Sequence, residues 1–210
     1  MRLRSRLQAT CVLMAFATLS TAASQPVVEV FLPPSFGFEM VHAFHDARGV
    51  VEQIYSEIGI RVIWRDRRAP DGCTKQPLHR QIVVAMLPSA PIGKSTEAWA
   101  FANPYSTKGP CVMLLMDRVY PAIKKNPLHA GYLLGHVLAH EMGHVLEGIA
   151  RHSETGVMKQ YWSLQETFNM AQKRLGFTTH DAELIYAAFG TAAPLQTDTE
   201  GRAQGKYALK

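Results

Sequence analysis

The apolar positions of this chain come first in short, strand-sized blocks and then in longer stretches of helical spacing. Val27 to Leu32 is rich in β-branched residues and ends at Pro33-Pro34, which predicts a first strand. From Glu39 to Ile58, the residues Met40, Phe44, Val51, Ile54 and Ile58 recur at helical spacing. Gly49 weakens that helix locally, and Gly59 is placed to end it. Ile60 to Arg65 alternates as a second strand. Pro70-Asp71-Gly72 and Pro77 then mark Arg65 to Arg80 as loop. Gln81 to Leu87 is almost continuously apolar, the pattern of a strand buried on both faces. Pro88 to Thr96 is a further loop, Ala98 to Ala102 a short strand cut off by Asn103-Pro104, and Ser106 to Pro110 a turn. Cys111 to Met116 makes a fifth strand that ends at Asp117-Arg118-Val119.

Asn126-Pro127 predicts the start of the main helix, because asparagine is a favoured N-cap and proline a favoured first helical residue. The helix runs through Tyr132, Leu133, Leu134, Val137 and Leu138 to Gly148, where a glycine can take the left-handed conformation that ends a helix. Leu134, Leu138 and Val145 form its sheet-facing stripe. Arg151 to Val157 is a polar loop, and Trp162 to Leu175 reads as another helix, stopped near Gly176. Thr178 or Thr179 caps a last helix over Asp181 to Phe189, with Leu184, Ile185 and Ala188 as its apolar face. Strands first and helices afterwards predict an α+β fold, and the strand–helix–strand start predicts parallel pairing under a covering helix. There are no internal repeats, so residues 24–190 form a single domain, followed by a polar, aperiodic tail over 191–210.

Composition changes this picture only at the N-terminus. At 210 residues, 47% apolar and 19% charged, the chain is ordinary for one globular domain. Residues 1–23, however, read as a secretory signal peptide: Arg2, Arg4 and Arg6, then an apolar core from Cys11 to Leu19, then small residues with cleavage after Ala23 or Ser24. That core is too short to span a bilayer, so no stable membrane anchor is expected. Loss of the three arginines lowers the net charge from +5 to +2. No basic stripe with interleaved aromatics remains, which speaks against nucleic acid as a partner. The product is expected to be secreted or periplasmic and monomeric. Its two remaining cysteines, Cys73 and Cys111, both sit in loop-like contexts and could form one disulfide in an oxidising compartment.

The chemistry concentrates in His140-Glu141-Met142-Gly143-His144, late in the main helix. Residues four apart share a helix face, so His140 and His144 can hold one metal ion between them. Neutral imidazoles suit Zn²⁺, and a catalytic zinc keeps three protein ligands and one open position for water. Glu141 is placed to take a proton from that water. His152 supplies a third ligand if the chain turns back, with Glu166 and Glu147 as rival donors. His136, one turn before His140, reads as a helix histidine bonded to water or backbone, or as a group behind the ligands. A purely structural metal site would need no base beside it, which favours catalysis.

In the order His140, Glu141, His144, Gly148, His152, followed by Ser153 and Gly156-Val157-Met158, the chain resembles the metzincin metallopeptidases, most nearly their matrixin-like branch. The family pattern is H-E-x-x-H-x-x-G-x-x-H followed by a methionine turn. The resemblance covers roughly Val27 to Phe189 and is motif-grade over His140 to Met158. It implies a zincin fold with a twisted, mixed five-stranded sheet, zinc on His140, His144 and His152, and Glu141 as general base. It also implies Met158 as an apolar floor beneath the metal. The chain departs from the pattern by one extra residue between His144 and Gly148 and another between Gly148 and His152, a widening that costs little loop entropy. Tyr161 follows Met158 by three residues, where some metzincins carry a tyrosine after two, and is expected as a cleft wall or oxyanion donor. Trp162 reads as core or pocket wall. Trp99, Ala100 and Phe101 offer a strand along which an extended peptide could add. The function implied is an exported zinc endopeptidase acting on a peptide or protein substrate. The alternative is a zinc-binding protein of the same fold that binds peptides without turnover.

Overall fold

The computed structural model describes residues 25–32, 38–67, 81–91, 98–102 and 111–190. The signal segment, the tail beyond residue 190 and Cys73 lie outside these residues, whereas Cys111 is buried at the start of its strand. The elements are β1 (Val27–Phe31), α1 (Phe38–Glu57), β2 (Arg61–Arg65), β3 (Gln81–Leu87), β4 (Ala100–Ala102), β5 (Cys111–Leu115), α2 (Met116–Lys125), α3 (Pro127–Glu147), α4 (Leu164–Asn169) and α5 (Thr179–Ala188). Five strands form one mixed sheet in the order β2-β1-β3-β5-β4. β1 pairs in parallel with β2 and β3, and β3 with β5, while β4 runs antiparallel to β5. The architecture is α+β, as the segregation of strand and helix patterns predicts.

One face of the sheet carries the core. Alternate residues Val28, Val30, Val62, Ile82, Val84, Val112 and Leu114 are buried and join one cluster with α1 and α3. On the other face, Glu29 receives Arg65 and Gln81 side chains, an arrangement suited to a half-buried surface. β3 is therefore not sealed on both sides. Gln81, Val83 and Ala85 are only half-buried, because the described helices cover the opposite face.

The main helix sits where the sequence predicts. Asn126 accepts a hydrogen bond from the His129 N–H at 3.2 Å, Pro127 occupies the first turn, and Gly148 ends the helix with φ 68°. Leu134 and Leu138 are fully buried, and burying each side chain stabilises the fold by about 1.5–3 kcal/mol. Close contact with α1 fixes the helix laterally. A Cβ on Gly135 would stand 2.6 Å from Val50 Cβ and 2.9 Å from the Ala47 carbonyl oxygen, so only glycine permits this approach. From the same side, the buried Tyr55 hydroxyl donates to the Ala139 carbonyl at 3.2 Å, one residue before His140.

Two elements differ from the sequence reading. α2 occupies Met116 to Lys125, where a strand end alone was predicted. Val119 and Ile123 are its buried residues, and the exposed Pro121 interrupts the pattern that would reveal it. The helix expected over Trp162 to Leu175 contracts to Leu164–Asn169, and no residue of α4 is buried. Without an apolar face to bury, nothing stabilises a longer helix there.

Two glycine substitutions should have opposite signs. Gly49 lies in α1 with open space around its Cα, so Gly49→Ala should stabilise the protein by about 0.5–1 kcal/mol. Gly135→Ala should destabilise it by about 1–3 kcal/mol through overpacking. Denaturant unfolding of the two variants checks both values, and a stabilised Gly135→Ala would refute the close helix contact.

Candidate metal centre

α3 delivers His140 and His144 to the same side, one turn apart, and both are largely buried. A loop capped by Gly148 then returns His152 beside them. Donor atoms of His140, His144 and His152 all lie within 4.8 Å of one another. Among the described residues, this is the group of histidine, cysteine and acidic side chains that could hold a metal ion.

Hydrogen bonds fix the proton positions. His140 Nδ1 lies 2.8 Å from the Val157 carbonyl oxygen, and His144 Nδ1 lies 3.3 Å from that of Ile149. A carbonyl can only accept, so each Nδ1 carries the proton and donates it. In the neutral rings each Nε2 then presents a lone pair, and these two nitrogens stand 3.0 Å apart. Two facing acceptors repel unless a cation lies between them. Burial also pushes the pKa of both histidines down from the ordinary 6.5 to about 4, which keeps their lone pairs free near neutrality. The donor set fits zinc, which takes imidazole nitrogen at about 2.0–2.1 Å. The third ring, His152, stacks on His140 at a centroid distance of 5.3 Å and meets His144 edge-on at 4.9 Å. Its pKa is lowered, first by desolvation and then by Arg151.

The other candidates fall into different places. Glu166 is held by Lys159 Nζ at 2.8 Å to each oxygen, and one oxygen also caps α4 through the Ser163 N–H at 2.7 Å. These bonds hold its carboxyl at about 2, and it is not a member of the histidine cluster. Glu147 ends α3 with its side chain buried, 3.3 Å from Arg151 Nε, and desolvation raises its pKa to about 7. It too is outside the cluster. His136 has both nitrogens in use: Nδ1 donates to the Tyr132 carbonyl at 2.8 Å, and Nε2 accepts the Leu175 N–H at 3.1 Å. It is a buried strut between α3 and the segment before α5.

Met158 is fully buried directly under the helix. A Cβ on Gly143, the residue before His144, would come 2.5 Å from Met158 Sδ, so that glycine makes room for the methionine. A cleft of about 400 Å³ opens beside the histidines. One wall is Ala98, Trp99 and Ala100, the floor is Leu133, Val137, His140 and Glu141 of α3, and the other wall includes His152, Lys159, Tyr161 and Trp162. Tyr161 is 72% exposed and Trp162 packs edge-on against His140 at 5.8 Å. β4, with Phe101 at its centre, terminates the sheet on the cleft side, and Trp99 extends the pairing through its carbonyl, which accepts the Leu115 N–H at 2.8 Å. The sequence reading missed the roles of Arg151 and Asp181. Asp181 is fully buried on α5 and pairs with Arg151, whereas its position in the sequence signals only a helix cap.

Two outcomes are expected. Removing an outer partner of a zinc ligand costs about 10–100-fold in affinity, so His152→Ala should weaken zinc binding by more than about 100-fold. Glu166→Ala should leave zinc affinity unchanged, as read by competition with a zinc indicator. The metal-free protein should also be acid-sensitive. A histidine whose folded pKa lies below its unfolded 6.5 contributes stability fully above that value and loses it as pH falls towards about 4. Glu147 acts in the opposite direction, losing stability as pH rises from 4.5 to about 7, but one carboxylate stands against several histidines. Urea midpoints measured with chelator at about pH 7.5 and about pH 5 should therefore fall with acidification.

No protein-family model and no curated protein matches the chain. Among solved structures, it is similar to a zinc-dependent peptidase from Methanocorpusculum labreanum, with a TM-score of 0.50 and 13% sequence identity. The match covers 75% of this chain and 99% of the other. At that identity the likeness is one of fold, and the α+β architecture around the three histidines is similar to that of a zinc peptidase.

Proposed function

We propose that the protein is a zinc endopeptidase of metzincin type, exported by its N-terminal segment. One observation carries the reading: two buried histidine Nε2 lone pairs face each other at 3.0 Å, with their Nδ1 protons committed to backbone carbonyls. His140, His144 and His152 would hold the ion, with Met158 packed beneath. Zinc supplies Lewis acidity, which makes a water a nucleophile near neutral pH and polarises a scissile carbonyl. Glu141, beside His140 and facing the cleft, takes the proton of the attacking water and passes it to the departing amine. An extended substrate lies along β4, its backbone bonding to the Trp99–Phe101 strand and its side chains meeting Leu133 and Val137. Tyr161 lines the opposite wall, within the cleft but exposed, and serves as a substrate contact. A Cys73–Cys111 bridge and a monomeric state complete this reading.

The exposure of the site to an open cleft favours turnover over a closed structural metal site, which has no position for water. Glu141→Gln should keep its zinc and lose about 10²–10⁴ in turnover on a peptide library. Chelator should abolish the wild-type cleavage. A variant that binds zinc and still cleaves at the wild-type rate refutes Glu141 as the base, and wild-type protein that binds zinc and cleaves nothing supports a binding module instead.

A further inference from the structure

The loop from His144 to His152 is two residues longer than the metzincin spacing, and the third histidine hangs at its end. His140 and His144 are oriented by backbone carbonyls. Among the described residues, no hydrogen bond orients the His152 ring, which stacks on His140 and meets His144 edge-on. Its position must come from its chain neighbours. Both neighbours bind the same atom, Oδ1 of Asp181. Arg151 Nη2 donates to it, and so does Ser153 Oγ at 2.6 Å. Asp181 is fully buried on α5, and its other oxygen accepts the Thr178 N–H at 2.8 Å. Arg151 reaches further: its Nη1 donates to Ser153 Oγ at 3.0 Å, and its Nε lies 3.3 Å from Glu147 Oε2 at the end of α3.

The geometry points to Arg151 as the positioning residue that closes the enlarged ligand loop, tying α3, the loop and α5 together so that His152 stands against His140 and His144. This rests on the zinc-site reading above. Two carboxylates buried on different helices, Glu147 and Asp181, share this one guanidinium. Isolated buried carboxylates are costly, and a planar guanidinium spreads its donors over three nitrogens that can face two of them from different edges, whereas an ammonium gathers its donors on one nitrogen. Without Arg151 the fully buried Asp181 carboxylate is left without its cation, and the loop relaxes by admitting water. Ser153 alone then ties the loop to the methionine turn, through its N–H to the Met158 carbonyl at 2.9 Å. Arg151 itself touches neither metal nor substrate.

The test measures zinc affinity by indicator competition and the visible spectrum of the Co²⁺-loaded protein, with far-UV circular dichroism as the folding control. Wild type, Arg151→Met, Arg151→Lys and His152→Ala are compared in the full chain. Arg151→Met should keep its helix content, bind zinc about 10–100-fold more weakly and show an altered cobalt spectrum, the size expected when a ligand loses its outer support. Arg151→Lys should lie between the two. If Arg151→Met does not fold, the lysine variant decides. Wild-type affinity and spectrum in whichever arginine variant folds, with both lost in His152→Ala, overturn the positioning role alone. Wild-type affinity in His152→Ala overturns the three-histidine reading on which it stands.

Discussion

The hydrogen bond from His140 Nδ1 to the Val157 carbonyl, 2.8 Å long, couples the two halves of the site. It joins the middle of α3 to the turn that carries Met158, residues separated by 17 positions in sequence. The bond decides the tautomer and so aims Nε2 at His144. It also requires Val157 and Met158 to lie under the helix, where both are fully buried. Gly143 is the complementary condition, because any side chain there would meet the Met158 sulfur. Helix, turn and imidazole thus form a single packing unit. Its lateral position is set by Gly135 against Val50 and by the Tyr55 hydroxyl on the Ala139 carbonyl.

The same helix shows how environment separates histidines of equal intrinsic chemistry. His136, His140 and His144 lie at four-residue intervals and are all buried, and desolvation lowers the pKa of each. His136 spends its second nitrogen on the Leu175 N–H, which leaves nothing for a metal. His140 and His144 spend theirs on each other's approach, at 3.0 Å. One backbone N–H thus marks the difference between a strut and a candidate ligand. Burial alone does not.

Much of this was legible in the sequence because it is local. Asn126-Pro127 and Gly148 delimit the main helix through caps that act within a turn, and the observed bounds follow them. The strands before it show as short apolar runs bounded by loop residues, and the four-residue histidine spacing shows on any helix. What was not legible depends on partners distant in sequence. α2 has only Val119 and Ile123 to bury and a proline among them, so its pattern is too short to stand out. Arg151 reads as a solvated loop arginine until α5 brings Asp181 to it from 30 residues away. The order of the sheet, and hence the position of β4 at the cleft, is likewise set by non-local pairing.

The cleft walls extend this division of labour. The β4 side is secured away from the main helix: Arg118 of α2 donates to the Ala98 carbonyl, and the Leu115 N–H donates to that of Trp99. The opposite wall is braced by Lys159 on Glu166, a pair that joins the turn carrying Met158 to the start of α4. Neither anchor touches the three histidines, which take their orientation from Val157, Ile149 and the Arg151–Asp181 pair. The histidine cluster and the outer cleft walls are therefore anchored by separate sets of bonds. Changes in Arg118 or Glu166 can move a wall of the cleft while the histidine cluster stays in place, whereas changes at Asp181 act on the cluster first.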